Sequence, residues 1–104
     1  MLTSDQGIAG ARPSEPEIAE VVRLYLVDNF LLGRGTVSDD ASLLESGTVD
    51  STGIVELAIY LEVHFRIEVE DDDMTAANLD SVARIAGFVA RKQAAAGSGD
   101  RVAG

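Results

Sequence analysis

The sequence predicts an all-α fold: a small four-helix bundle with three main amphipathic helices, one short helix and a long loop between the first two. Apolar residues recur at helical spacing in three separate segments, and a capping residue precedes each segment. The one segment that alternates like a strand has no partner strand nearby. The 104 residues are 46% hydrophobic but only 5% aromatic, which predicts one small core of Leu, Ile, Val and Ala.

The first helix is predicted to begin after Ser14. Ser14 is a favourable N-cap, Glu17 follows three residues later as in a capping box, and Pro16 falls in the first turn, where its missing N–H costs little. The glycines around Arg34 are expected to end the helix. The apolar positions that recur at helical spacing are Ile18, Val21, Val22, Tyr25 and Leu32.

A long connection over residues 33–50 follows the first helix. Loops of this length are uncommon inside compact domains and are often functional. Leu43 and Leu44 are the apolar residues near its end, and both are expected to pin the loop to the core.

The second helix is predicted over residues 51–65. One face is apolar and would be buried, with Ile54, Leu57, Ala58, Leu61 and Phe65. The opposite face mixes Glu56 and Glu62 with the aliphatic residues Val55, Ile59 and Val63. Aliphatic residues exposed among acids suggest a docking surface. Alternatively, some of them widen the buried face, and for Val63 both interpretations remain open.

The remainder of the chain is predicted to form an extended segment, one helical turn and a last helix. Residues 66–70 are interpreted as an extended segment that turns Ile67 and Val69 inward, and residues 75–78 as one helical turn. A last helix is expected from about Ser81 to Lys92, capped by Asp80. Its apolar positions are Val82, Ile85, Ala86 and Val89. The folded unit is therefore predicted over residues 14–92, with residues 1–13 and 93–104 disordered.

The net charge of −10 is confined to one part of the chain. Residues 35–73 contain eleven acidic residues and a single base, Arg66, whereas the remainder sums to zero. Such an anionic segment disfavours binding to nucleic acid and to anionic membranes, and it favours binding to basic patches on proteins. The chain has no cysteine, no signal-peptide pattern at its first residues and no apolar run long enough for a membrane span. We expect a cytoplasmic monomer.

Ser51 follows Asp50 where the acidic loop meets the second helix. A hydroxyl at this position would be exposed, and the unpaired N–H groups and dipole of the helix N-terminus favour an attached anion such as a phosphate ester. Taken alone, an Asp-Ser pair before a helix is an ordinary cap.

The residues around Ser51 match a known site of prosthetic-group attachment in order and spacing. The matching residues are Leu44, Gly47, Asp50, Ser51 and Leu57. With Phe65-Arg66-Ile67 and Asn78-Leu79-Asp80-Ser81-Val82, the chain resembles the acyl carrier protein family over residues 16–92. The resemblance implies a four-helix bundle in which a phosphopantetheinyl transferase attaches 4′-phosphopantetheine, taken from coenzyme A, to Ser51. The thiol of that arm would then hold acyl or aminoacyl groups as thioesters.

The resemblance also implies how partners would recognise the protein. The second helix would dock on basic patches of acyl-processing enzymes, through Asp50, Thr52, Val55, Glu56, Ile59 and Glu62. Some positions depart from the family: Thr52 replaces the usual leucine, and Gly53, Val63 and His64 stand where acids are common. These departures favour a stand-alone carrier that an adenylating ligase loads in a specialised pathway. Gly53 is hypothesised to allow close approach of a partner.

Other functions are less well supported by the residues. An alternative function, of a different class, is that of an unmodified, carrier-like acidic adaptor that binds basic proteins. No catalytic residues are predicted: the single histidine, His64, is about 20 Å along the helix from Ser51, too far to act as its base. The acids at residues 70–73 lack the glycine and terminal glutamate of a calcium loop, so no metal site is predicted. The second Asp-Ser pair, Asp80-Ser81, is interpreted as a helix cap.

Overall fold

A computed structural model of the chain describes the backbone of residues 13–103 and the side chains of residues 13–95. Over this range the fold is all-helical, as predicted, with four α-helices and no strand. The helices are α1 (Glu15–Phe30), α2 (Ser51–Phe65), α3 (Ala76–Leu79) and α4 (Val82–Ala103), and a 3₁₀ turn spans Asp71–Asp73. Helix α4 packs against each of the other three helices. No helix in the described range is long and apolar enough to cross a membrane.

Helix α1 begins as its sequence predicts and ends earlier. The Ser14 hydroxyl accepts a hydrogen bond from the backbone N–H of Glu17 at 3.3 Å, and the Glu17 carboxylate accepts one from the N–H of Ser14 at 2.8 Å, which completes the capping box. Leu32, predicted to continue the apolar stripe, lies outside the helix in a left-handed conformation (φ 57°), with its side chain 82% exposed. The carbonyl of Val27 accepts hydrogen bonds from Leu31 and Gly33, so the chain turns away before Leu32.

The loop between α1 and α2 is held at three points. Val37 and Leu43 are buried, and Asp39 accepts hydrogen bonds from the Arg23 guanidinium at 2.8 and 3.0 Å. The backbone carbonyl of Asp39 also accepts from the N–H of Ala83, in the first turn of α4. Leu43 therefore fixes the loop to the core as expected, whereas the expectation for Leu44 was wrong, because its side chain is 44% exposed.

Helix α2 has the predicted bounds and the predicted buried face. Leu57, Ala58, Leu61 and Phe65 are buried, and Ile54 packs against the core. Arg66 ends the helix in a left-handed conformation (φ 58°), and the extended segment beyond it turns Ile67 and Val69 towards the core, as predicted.

The acidic run at residues 70–73 is not uniformly solvated. Asp71 and Asp72 are exposed, but the Asp73 carboxylate lies 2.7 Å from the Lys92 ammonium of α4 and accepts the N–H of Glu70. The pair with Lys92, followed by the Glu70 hydrogen bond, lowers the pKa of Asp73.

Helix α4 begins and ends differently from its prediction. Ser81, rather than Asp80, caps it: the Ser81 hydroxyl accepts the N–H of Arg84 at 3.1 Å. The backbone of α4 continues past Lys92 to Ala103. The predicted domain limits and the predicted disorder of residues 93–104 stay predictions, and residues 1–12 lie outside the described range.

Candidate functional site

Ser51 is the first residue of α2, and its side chain is exposed. Asp50 is the N-cap in an extended conformation, and its Oδ1 accepts the N–H of Gly53 at 2.8 Å. Within the described range, the backbone N–H groups of Ser51 and Thr52 have no hydrogen-bond partner. The cap thus satisfies one amide, while the amides of Ser51 and Thr52 have no partner in the described range, and unpaired amides at a helix N-terminus favour an anion attached there.

The residues before Ser51 are held from within the fold. Val49 and Leu43 are buried, and the N–H of Val49 donates to the carbonyl of Leu43 at 3.1 Å. The N–H of Leu43 in turn donates to the carbonyl of Asp80 at 2.8 Å. These two hydrogen bonds fix the N-terminal end of α2 relative to the junction between α3 and α4.

The side chain of Asp80 also holds the loop before α2, a role that its local sequence does not indicate. Its carboxylate accepts the Ser42 hydroxyl at 2.6 Å and the N–H of Leu44 at 3.0 Å. The hydrogen bond from Ser42 is the main reason why the pKa of Asp80 is lowered. The prediction that Asp80 caps the last helix was therefore wrong, because its side chain turns back to hold the loop.

Gly53 is buried by the protein itself. A Cβ atom at this position would lie 2.7 Å from Cγ1 of Val49 and 2.8 Å from Cε1 of Phe30. Glycine is therefore explained by the packing of the loop and α1 over the first turn of α2. The hypothesis that Gly53 serves the approach of a partner is not needed to explain the residue.

Two depressions flank the start of α2. An open cleft of about 330 Å³ lies on the α1 side, between Phe30, Gly47–Thr48 and Glu56. A smaller one, of about 90 Å³, lies on the α3 side and is mainly apolar. Leu44, Ile54, Met74 and Leu79 line the smaller depression.

The outward face of α2 carries three exposed aliphatic side chains. Val55, Ile59 and Val63 are 49%, 54% and 74% exposed, so Val63 does not widen the buried face. Thr52 and Glu56 are exposed as well. Glu62 is only half-buried and accepts the N–H of Val69 at 2.9 Å, so this carboxylate helps to hold the extended segment after α2.

The single histidine of the chain lies at the opposite end of α2 from Ser51. His64 is exposed at the far end of α2, with its ring stacked on Tyr60 at 5.2 Å between centroids. In this same range, no three of the His, Asp and Glu side chains are grouped so as to hold a metal ion.

The fold and the site together define a class of protein: a small helical bundle in which an exposed serine begins a helix and buried loop residues hold that helix start in place. Two curated relatives agree with this class. The chain is 35% identical over 80 residues to the acyl carrier protein of Akkermansia muciniphila, covering 77% of this chain and 98% of that protein. It is 28% identical over 60 residues to the acyl carrier protein of Lactobacillus acidophilus, covering 58% of this chain and 75% of that protein.

The chain belongs to the acyl carrier protein family. The recognition made from the motif around Ser51 is thereby confirmed, and a carrier role follows from the family. No family model matches the chain.

Proposed function

We propose that Ser51 carries a 4′-phosphopantetheine arm and that the protein presents acyl or aminoacyl groups on that arm to successive enzymes. The observation that carries this proposal is the exposed hydroxyl on the first residue of α2, beside two backbone N–H groups without partners in the described range. A phosphodiester at Ser51 Oγ would place its negative charge next to these amides.

The residues around Ser51 fit the prosthetic group. The side chain that caps the helix is Asp50, so the cap does not use the Ser51 hydroxyl. The arm supplies a thiol that holds the acyl group as a thioester, and the chain itself contains no cysteine. The contribution of this chain is to hold Ser51 Oγ accessible on a fixed helix. His64, about 20 Å away along α2, is too far from Ser51 Oγ to remove its proton during attachment.

The arm would make the protein a carrier because it tethers the acyl group to the domain that the enzymes bind. A tethered substrate has a high effective concentration at whichever enzyme is docked, so transfer between partners needs no release into solution. The partners in this proposal are the transferase, a loading ligase that adenylates its acyl or aminoacyl substrate, and downstream acyl-processing enzymes. We propose that these reactions occur in the cytoplasm.

A specialised pathway is the finer part of the proposal. Thr52 and Val63 support it, because they replace a leucine and an acid that are common in fatty-acid carriers, and both side chains are exposed where partners would meet them. Gly53 no longer supports it, because packing inside the domain explains that glycine.

The test is the intact mass of the protein after incubation with a broad-specificity phosphopantetheinyl transferase, coenzyme A and Mg²⁺. We expect the gain of one phosphopantetheine group in the wild type and no gain in Ser51→Ala. Thr52→Ala is the matched control, since it removes the neighbouring exposed hydroxyl and should still be modified. A wild type that gains no mass with several transferases would overturn the proposal and leave the unmodified acidic adaptor as the better account.

A further inference from the structure

An open cleft lies directly beside the proposed attachment residue, on the side of α2 that faces α1. Its volume is about 330 Å³, and its lining includes Phe30 of α1 and Glu56 of α2. We call it the α1-side cleft. Asp50 and Thr52, the two sequence neighbours of Ser51, also line it. A group attached to Ser51 Oγ therefore begins at the edge of this cleft.

The depression on the opposite side of α2, the α3-side depression, is much smaller. Its volume is about 90 Å³. Sites that bury small organic molecules usually measure about 300–1,000 Å³. The α1-side cleft reaches this range and the α3-side depression does not. Of these two depressions, the α1-side cleft is thus the one with room for the arm.

The walls of the α1-side cleft combine apolar and hydrogen-bonding groups. Phe30 contributes an aromatic ring, Thr48 and Thr52 contribute hydroxyls, and Asp50 and Glu56 contribute carboxylates. Beyond its phosphate, the arm carries methyl groups, a hydroxyl and two amides, so it presents both apolar surface and hydrogen-bond donors. The carboxylates repel the phosphate, which stays at the start of α2. The neutral part of the arm is therefore the part that suits the cleft.

Glu56 is the carboxylate of this cleft that remains without a partner. Asp50 Oδ1 already accepts the N–H of Gly53 at 2.8 Å. Glu56 is exposed, and its carboxylate makes no hydrogen bond or ion pair within residues 13–95. Burial, followed by the charge of Glu56, raises the pKa of Tyr25 of α1. The Glu56 carboxylate therefore lies close to α1, where it can accept a hydrogen bond from a molecule in the cleft.

The arm is long enough to reach Glu56 from its attachment point. Glu56 is five residues after Ser51, which corresponds to about 7.5 Å along the helix axis. The pantoate unit, which separates the phosphate of the arm from its first amide, spans a comparable length. Because the arm is tethered, its effective concentration at the cleft is on the order of millimolar. A site of millimolar affinity would then be about half filled.

We propose that the neutral part of the arm on Ser51 rests in the α1-side cleft between visits to enzymes, with its pantoate methyl groups against Phe30 and an amide N–H donating to Glu56. The proposal rests on the proposed function and deepens it by assigning a resting site to the arm. An enzyme must draw the arm out of this site, and at half occupancy this weakens its apparent affinity only about twofold. The site therefore shelters the arm without blocking transfer.

The experiment is NMR spectroscopy of the protein loaded with the arm. The protein is labelled with ¹³C and ¹⁵N, and the arm is transferred from unlabelled coenzyme A. Isotope-filtered nuclear Overhauser spectra then show contacts between the arm and the protein. We expect cross-peaks from the pantoate methyl protons to the ring of Phe30 and to the methyl group of Thr52, since both residues line the α1-side cleft.

Variants of Glu56 test its hydrogen bond to the arm. Glu56→Ala removes the acceptor, and a site weakened tenfold would hold the arm in about a tenth of the molecules, so the cross-peaks to Phe30 should fall about fivefold. Glu56→Gln keeps an acceptor oxygen and should retain most of the intensity. Glu45→Ala is the matched control, because it removes an exposed acid outside the cleft and should leave the cross-peaks unchanged.

The outcomes separate the resting site from the carrier function. Cross-peaks to Ile54, Met74 or Leu79 would place the arm in the α3-side depression, and an absence of cross-peaks would show that the arm moves freely in solvent. Either result overturns the resting site and leaves the carrier function standing. An equal loss of intensity in Glu45→Ala and Glu56→Ala would contradict the hydrogen bond to Glu56 and overturn the proposal as stated. A wild type that cannot be loaded with the arm refutes the carrier function, and the resting site with it.

Discussion

Replacing Gly53 with alanine should destabilise the protein, although the same change usually stabilises a helix. The new Cβ would lie 2.7 Å from Val49 Cγ1 and 2.8 Å from Phe30 Cε1, whereas the best separation of non-bonded carbon atoms is about 3.5–4.0 Å. Neither neighbour is the end of a flexible chain, because valine branches at Cβ and a phenylalanine ring moves as a rigid plate. The backbone or both side chains must therefore shift.

The two opposing effects differ in size. Forcing an extra methyl group into a well-packed site costs about 1–3 kcal/mol. Alanine gains at most about 1 kcal/mol over glycine inside a helix, and Gly53 lies in the first turn, where the gain is smaller. We therefore expect a net loss of about 1–2 kcal/mol in the free energy of unfolding. For a domain of this size, each 1 kcal/mol corresponds to about 4–8 °C in Tm.

The assay is urea denaturation followed by circular dichroism, with Gly87→Ala of α4 as the matched control. A Cβ at Gly87 would meet only Arg91 Nη1, at an ordinary 3.5 Å, so this change should stabilise by about 0.5–1 kcal/mol. The effects of Val49→Ala and Gly53→Ala should not add, because removing the Val49 methyls relieves the clash. A Gly53→Ala variant that is stabilised as much as Gly87→Ala would refute the packing argument. Unchanged stability with slower modification of Ser51 would instead restore the partner-approach hypothesis.

Two further predictions concern the supports of the site. Hydrogen bonds to Asp80 lower its folded pKa below the ordinary 3.8, so the carboxylate stabilises the fold above that pH and loses this contribution as pH falls towards the folded pKa. Denaturation at several pH values should therefore show Asp80→Asn less stable than wild type at pH 7, with a gap that shrinks below about pH 4; a gap independent of pH would contradict the role of the charge. Ser81→Ala should cost about 0.5–2 kcal/mol through loss of the α4 cap, whereas Ser38→Ala, at an exposed loop serine, should stay within about 0.5 kcal/mol in the same assay.

Sequence reasoning succeeded where the determining interactions are local. The capping box of Ser14 and Glu17 and the bounds of α2 depend on residues within one helical turn, so spacing alone indicates them. The end of α1 was missed because a stripe of apolar residues does not show where the backbone turns. Leu32 continues the pattern but lies in a left-handed conformation beyond the last turn.

The supports of Ser51 could not be predicted because they join distant parts of the chain. Ser42 and Asp80 are thirty-eight residues apart, and an aspartate before a helix predicts a cap unless its distant partner is known. The contact of Glu62 with the N–H of Val69 could not be predicted for the same reason, because Val69 lies beyond the end of α2 and the helical pattern does not indicate it.

These supports explain how the protein can expose Ser51 and still hold it in place. Backbone hydrogen bonds connect Asp80 to Leu43 and Leu43 to Val49, and the Val49 side chain packs over Gly53. The Ser51 side chain takes part in none of these contacts. Ser51→Ala should therefore change the free energy of unfolding by less than about 0.5 kcal/mol, while Gly53→Ala, two residues later, should be clearly destabilising. The residue that carries the function is thus separate from the residues that carry the stability, so loss of modification in Ser51→Ala can be attributed to the missing hydroxyl.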